Sequence, residues 1–327
     1  MKNVAIIMGG YSSEYKIALK SGEVVYNHLN KNKYNVYKIH VLQEGWYYVD
    51  EQNKRFPIDK NDFSVVIDGS KLQFDVVFNS IHGSPGEDGL MQAYFKLLEL
   101  PHTSCNFYQA ALTFNKRDLL SVLKPYGIKT AISYYLNEGD PIDEGQIIQK
   151  VGLPCFVKPN KSGSSFGISM VKEQTQLLSA IENAYIEDNE IIIESYLKGT
   201  EVSVGVFKYN GDVTILPMTE IVSENDFFDY AAKYEGKSQE ITPARISEEE
   251  KAKVEDVIRK IYTILNMDGF SRSEFIIVDG EPFLLEMNTV PGLTSESIFP
   301  QQAREAGITL EELFENAVET ALNRTNY

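Results

Sequence analysis

The residues with the most specific chemistry in this 327-residue chain are Arg272-x-Glu274 and Glu286-x-Asn288, which flank Asp279-Gly280. Residues two apart on a strand share a face, so Glu286 and Asn288 point the same way. Glu274 falls on the partner strand of the same hairpin. A three-residue loop over residues 279–281 sets Glu274 directly opposite Glu286, whereas a two-residue turn puts them on opposite faces. The expectation adopted is the odd loop with the acids paired. Phe275-Ile276-Ile277 and Phe283-Leu284-Leu285 make this a buried sheet rather than a solvent hairpin, and two acids there need a cation. Magnesium suits them, because it takes carboxylate oxygens together with substrate phosphate oxygens. Mutual repulsion should strain the metal-free pair, so neutralising either acid should stabilise it.

Three further stretches could serve a reaction. Phe156-Val157-Lys158-Pro159 leads into Gly163-Ser164-Ser165-x-Gly167, a strand lysine followed by a donor-rich loop, which is the chemistry of a phosphate grip. The bland alternative is a flexible solvent loop. Gly9-Gly10-Tyr11-Ser12-Ser13-Glu14 lies where a strand meets a helix N-terminus, a place that favours anions, while Glu14 could hold an ammonium group. Together they could grip an amino acid; a plain turn capped by Ser13 is the alternative. His82-Gly83-Ser84-Pro85-Gly86-Glu87-Asp88-Gly89 follows a buried strand and is too glycine-rich for a mere connection. Two nucleotide motifs fail. Glu235-Gly236-Lys237-Ser238 has Ala231 where a P-loop needs glycine, and no G-x-G-x-x-G fingerprint exists.

The elements that must position these residues read as α/β. Val4-Ala5-Ile6-Ile7-Met8 and Val76-Val77-Phe78-Asn79 are buried-strand runs ending at glycine-containing loops, each followed by a helical stretch, over residues 17–29 and 90–98. That alternation predicts an open parallel sheet. Residues 154–159 and 190–194 read as strands of a second unit. The last third is hairpin-rich, with Asn210-Gly211 and Asp279-Gly280 as turns. Ser247…Glu250 and Thr309…Glu312 are capping boxes opening two helices.

Length suggests two domains of ~150 residues, or three small ones. Lys and Arg number 31 against 47 Asp and Glu, a net charge of −16 that argues against nucleic acid or an anionic membrane as partner. Only Cys105 and Cys155 are present, which fits a reducing cytoplasm better than a disulfide scaffold. No apolar run reaches the ~18 residues of a membrane span.

Taken together and in order, these motifs resemble the ATP-grasp superfamily, and within it the D-alanine–D-alanine ligases. The resemblance spans nearly the whole chain. It runs through Gly9-Gly10-x-Ser12-x-Glu14, the His82 loop, the Lys158 strand with its Gly/Ser loop, Phe228-Asp229-Tyr230-x-x-Lys233-Tyr234, and Glu286-Met287-Asn288-Thr289-Val290-Pro291-Gly292-Leu293-Thr294-Ser295-x-Ser297.

What the resemblance implies is specific. The fold would be an N-terminal open parallel-sheet, Rossmann-like domain over residues 1–102, an ATP-grasp lid domain over 103–194 and a C-terminal ATP-grasp domain over 195–327 carrying the metal site. ATP would phosphorylate one D-alanine to an acyl phosphate, and the amine of a second D-alanine would attack it, giving D-alanyl-D-alanine for peptidoglycan. Lys116, Lys158, Glu194, Leu197 and Glu201 would bind ATP. Glu274, Glu286 and Asn288 would hold two magnesium ions, with manganese able to substitute. Glu14 would hold the first ammonium, with His82 and Lys233 near the substrates. Ser164 would belong to the lid and Tyr234 to the closing loop. Gly292, Ser297 and Arg272 would serve the second substrate and the tetrahedral oxyanion. A cytoplasmic homodimer, with no nucleic-acid or membrane partner, completes the expectation. A D-alanine–D-lactate or other amino-acid ligase of this fold is the nearest alternative, and a non-catalytic nucleotide-binding protein the more distant one. Glu274 stands where most members carry Asp, Ser195 where a Lys is common and Tyr15 where an Arg is frequent, and His102-Thr103-Ser104 matches the usual segment only loosely.

Overall fold

The computed structural model describes residues 1–163, 165–223 and 238–324. Among the described residues, three sheets follow one another along the chain. The first contains β1 (Lys2–Gly9), β2 (Tyr34–Leu42), β3 (Gly45–Val49), β4 (Arg55–Asp59), β5 (Ser64–Ile67), β6 (Ser70–Leu72) and β7 (Val76–Asn79), in the order β6-β5-β4-β3-β2-β1-β7. Helix α1 (Tyr15–His28) joins β1 to β2, and α2 (Leu90–Leu97) follows β7.

The expected parallel sheet is present as β2-β1-β7. The rest of that sheet is an antiparallel meander. Short connections such as the one between Leu42 and Gly45 leave no room for a crossover, so antiparallel pairing is forced. In β1, Val4, Ile6 and Met8 enter one core while Ala5 and Ile7 enter another. Burial on both faces is why this strand reads as a continuous apolar run.

The second sheet, β10-β9-β11-β8, is built from β8 (Ser133–Asn137), β9 (Cys155–Pro159), β10 (Ser169–Val171) and β11 (Glu190–Ser195). Helices α5 (Glu144–Val151) and α6 (Leu177–Tyr185) cover one face, packing on Cys155, Val157, Ile191 and Ile193. Alternation leaves Phe156, Lys158 and Glu194 on the other face.

The third sheet has six strands, β12 (Thr200–Tyr209), β13 (Asp212–Ile215), β14 (Thr219–Ser223), β15 (Ser238–Ile241), β16 (Ser271–Val278) and β17 (Glu281–Asn288). Their order is β15-β14-β12-β16-β17, with β13 paired to β12. Val202, Val204, Val206, Phe275, Ile277 and Leu284 pack beneath it with α3 (Phe107–Phe114), α4 (Lys116–Leu123) and α7 (Glu248–Ile264). The opposite face is left to Glu201, Ser203, Gly205, Arg272 and Glu274. Both expected capping boxes form, at Ser247 before α7 and at Thr309 before α9 (Leu310–Leu322). The terminal helix α9 returns to the first sheet, where Leu313, Phe314 and Val318 share a core with Val4, Ile6 and Met8. Helix α8 (Ile298–Glu305) precedes it.

Candidate active site

The acidic hairpin turns at Asp279-Gly280 alone, with φ of 50° and 73°, because Val278 pairs with Glu281. Positive φ at both positions is the type I′ hairpin turn, whose twist suits the flanking strands. The expected three-residue loop is therefore corrected to two. By simple alternation that turn would separate the two acids, yet Glu274 pairs with Glu286 and Arg272 with Asn288. The register shifts between Glu274 and Phe275, and the strand absorbs Leu285 as an extra residue. Leu284 and Met287 remain in the core, while Leu285 and Glu286 both line the cavity above it.

Neither acid stands alone. Arg272 Nη1 donates to Glu274 Oε1 and, at 3.0 Å, to Ser203 Oγ. Lys116 Nζ lies 3.1 Å from Glu286 Oε2 and donates to the Ser162 carbonyl at 2.9 Å. Asn288 Nδ2 donates to Glu286 Oε1 at 3.3 Å. Burial would lower the pKa of the Arg272 guanidinium, but Glu274, Glu286 and Glu240 outweigh it and hold it above the ordinary arginine value. The expected strain between unpaired acids is thus replaced by two ion pairs. Two carboxylates and an amide oxygen are hard donors of the kind magnesium takes when phosphate oxygens complete its shell. Among the described residues no three His, Cys, Asp or Glu side chains cluster as a metal site, so protein acids alone do not make a closed cage.

Beside this hairpin lies a cavity of about 380 Å³ between the second and third sheets, lined by Lys116, Lys158, Glu194, Leu197, Glu201, Glu274 and Glu286. All five residues expected to bind ATP are among its walls. Lys158 Nζ pairs with Glu194 Oε2 at 2.8 Å. Burial would push the Lys158 ammonium down, but Glu194, Glu286 and Glu201 raise it overall, keeping the cation charged. Phe156, Tyr196, Ile276 and Leu285 give the cavity apolar walls that the motif reading missed. Period-two alternation from Lys158 would have found Phe156, whereas nothing local marks Leu285. Ser195 spends its hydroxyl on structure, accepting from the Ile132 N–H at 3.0 Å.

A second cavity, of about 460 Å³, contains Glu14, His82, Arg272, Asn288, Gly292 and Ser297. It shares Lys116, Ser162, Gly163, Glu274 and Glu286 with the first, so the two meet at the acidic pair. Glu14 itself takes the N-cap position of α1, and Ser12 Oγ rather than Ser13 accepts the Glu14 N–H. Gly163 is pressed so closely on Glu14 that a Cβ there would sit 2.4 Å from Oε2. Ser297 occupies the N-cap of α8 without capping it, and its hydroxyl meets Thr294 Oγ1 at 2.7 Å.

The His82 loop acts chiefly as a clamp on the C-terminal signature. His82 Nδ1 donates to the Val290 carbonyl at 2.8 Å, and Nε2 meets Ser21 Oγ at 2.9 Å. Glu87, a residue the motif reading gave no role, accepts the N–H groups of Thr289 and Val290 at 2.8 and 3.1 Å and of Gly83 at 3.1 Å. Burial, then the charge of Glu14, raises the Glu87 carboxyl above the usual carboxylate range. Ser164, Lys233 and Tyr234 lie outside the described residues.

A cavity carrying Glu14 thus meets the cavity of the Lys158 strand at a magnesium-type donor set. Two family models cover most of the chain, the D-ala D-ala ligase N-terminus over residues 3–105 and the D-ala D-ala ligase C-terminus over residues 124–319. The chain belongs to the D-alanine–D-alanine ligase family. Among its relatives is the D-alanine–D-alanine ligase of Flavobacterium johnsoniae, 69% identical over 98% of this chain and 100% of the relative. That of Christiangramia forsetii is 56% identical over 99% of both chains. Solved family structures agree in fold. D-alanyl-alanine synthetase A from Vibrio cholerae aligns with a TM-score of 0.88 and 26% identity over 99% of both chains. The VanG D-Ala:D-Ser ligase from Enterococcus faecalis aligns at 0.84 and 29%, over 97% of this chain and 98% of that one. The Bacillus anthracis ligase complexed with ATP aligns at 0.79 and 26%, over 98% of both.

Proposed function

We propose that this chain is an ADP-forming D-alanine–D-alanine ligase that makes D-alanyl-D-alanine for peptidoglycan. The observation that carries the reading is the junction of the two cavities at Glu274, Glu286 and Lys116. A carboxylate is a poor electrophile, so the first D-alanine, its ammonium on Glu14, accepts the γ-phosphoryl group of ATP and becomes an acyl phosphate. Lys116 and Lys158 neutralise phosphate charge, while Glu194, Leu197 and Glu201 hold adenine and ribose. The second D-alanine docks by its carboxylate at Ser297, and its amine attacks the acyl carbon. Arg272 and the Gly292 backbone stabilise the oxyanion until phosphate leaves. Glu274, Glu286 and Asn288 would hold the magnesium ions, which supply neutralisation of charge moving between phosphates. Ser164 belongs to the lid, with Lys233 and Tyr234 on the closing loop, so catalysis is mostly positioning and exclusion of water.

In this reading the chain divides into an N-terminal unit over 1–102, a lid over 103–194 and a metal-bearing unit over 195–327. It works as a cytoplasmic homodimer with neither nucleic acid nor membrane as partner; no helix among the described residues is long and apolar enough to cross a membrane. The likeness to a D-Ala:D-Ser ligase favours a second reading in which other D-configured acceptors enter. Phosphate release from ATP, assayed with D- and L-amino acids and with D-lactate beside D-alanine, tests both. Stimulation by D-alanine alone supports the first reading, and release driven by L-amino acids only defeats both.

A further inference from the structure

We propose that Gln302 is a positioning residue for the acceptor half-reaction, tying the helix that presents Ser297 to the strand that holds Arg272. The proposal rests on the reading that Ser297 receives the acceptor and Arg272 the oxyanion. Gln302 is fully buried on α8. Its Nε2 donates to the Ser203 carbonyl at 2.8 Å and to Thr219 Oγ1 at 3.1 Å. A carbonyl can only accept, so the nitrogen must face β12 and the amide orientation is fixed. Its Oε1 is then buried without a hydrogen-bond partner among the described residues.

A half-satisfied buried amide is a poor stabiliser, because its own carbonyl oxygen is desolvated with nothing bonded to it in return. The destination of its donor is what distinguishes it. Ser203 lies opposite Glu274 in the register, and Ser203 Oγ accepts from Arg272 Nη1 at 3.0 Å. The bond from α8 and the bond from the guanidinium therefore end on the same residue. Gly205, opposite Arg272 in that pairing, makes the arrangement possible, because a Cβ there would sit 2.6 Å from Gln302 Oε1. On the helix side, Gln302 follows Ser297 by little more than one turn, so the amide sets how far the acceptor end of α8 stands from the guanidinium. An attacking amine and an acyl carbon react only when held about 3 Å apart, and a misplacement of about 1 Å can cost roughly a hundredfold in rate.

Gln302→Leu and Gln302→Met in the full chain test this, with initial phosphate-release rates over a wide D-alanine range fitted for donor and acceptor sites. The expected result is an acceptor KM raised and a kcat lowered by about tenfold each, as the loss of a well-oriented approach implies. The KM for ATP and the donor constant should hold, with a modest loss in thermal midpoint from the stranded Ser203 carbonyl. Gln302→Glu, which keeps the shape but turns a carboxylate toward the Ser203 carbonyl, should do worse than Leu. Acceptor constants unchanged in both apolar variants would overturn the proposal, as would an ATP affinity lost as much as the acceptor constants, the mark of a merely structural role. Ser297→Ala is measured alongside. If it raises the acceptor KM while the Gln302 variants do not, the positioning role alone fails. If Ser297→Ala leaves that KM untouched, the acceptor reading fails and takes the proposal with it.

Discussion

Glu274 and Glu286 oppose each other across a hairpin whose two-residue turn would, without a bulge at Leu285, have paired Glu274 with that leucine. The bulge lets one strand present a metal-type carboxylate and an apolar cavity wall side by side. Each acid carries its own cation, Arg272 and Lys116 respectively. Glu274→Gln should therefore lower stability, since removing one partner of a mostly buried pair strands the other at a cost of about 3 kcal/mol. Turnover should nearly vanish at the same time. Urea unfolding monitored alongside activity checks both. A more stable Glu274→Gln protein would mean that repulsion, rather than pairing, dominates the site.

Leu285→Ala should separate nucleotide binding from chemistry. It removes apolar surface from the first cavity while leaving the backbone that carries Glu286 in place. Losing most of a leucine side chain from a ligand contact is worth about 1–2 kcal/mol, so the KM for ATP should rise about tenfold. The kcat at saturating ATP should stay near that of the parent. Steady-state kinetics decide the matter; a kcat loss at unchanged KM would move Leu285 from the nucleotide wall to the metal machinery.

Where a signal is local, the amino-acid sequence was sufficient. The β1 run, the Asn210-Gly211 turn and the Ser247 and Thr309 capping boxes each draw on a few adjacent residues, and each formed as read. Short strands such as the half-buried β3 and the mostly exposed β6 carry no such mark, so the antiparallel half of the first sheet has no local signature. The motifs marked Glu14, His82, Lys158 and Glu286, and the structure sets them around two joined cavities. The bulge at Leu285 was not, because it is decided by which side chains the core can accept. Nor was the role of Glu87, whose N–H donors at Thr289 and Val290 lie some two hundred residues along the chain.

Gly163→Ala should impair the first D-alanine site specifically. The added methyl would meet the Glu14 carboxylate at 2.4 Å, and one of the two must move. Displacing the group proposed to hold the substrate ammonium weakens a charge-assisted hydrogen bond, so donor affinity should fall about tenfold. Glu14, which takes the clash, lines the second cavity and not the first, so nucleotide affinity measured by calorimetry should fall much less than donor affinity. Equal losses for nucleotide and D-alanine would show a general collapse of the loop instead.

His102 gives the protein a calculable acid sensitivity. It is buried, and burial followed by the charge of Arg324 lowers its pKa from 6.5 to about 3. The folded protein therefore keeps this imidazole neutral at pH values where the unfolded chain protonates it. The sign follows directly: the folded pKa is depressed, so the contribution is full above pH 6.5 and is lost as pH falls from there toward 3. Between about pH 7.5 and 5 this single group should remove about 2 kcal/mol, since each unit of differential protonation is worth ~1.36 kcal/mol. Replacing His102 by Asn deletes the titration, so the difference between parent and variant stabilities should narrow by that amount over the same interval. Urea unfolding of both proteins at the two pH values provides the measurement. Parallel pH profiles would mean that His102 titrates alike in the folded and unfolded chains.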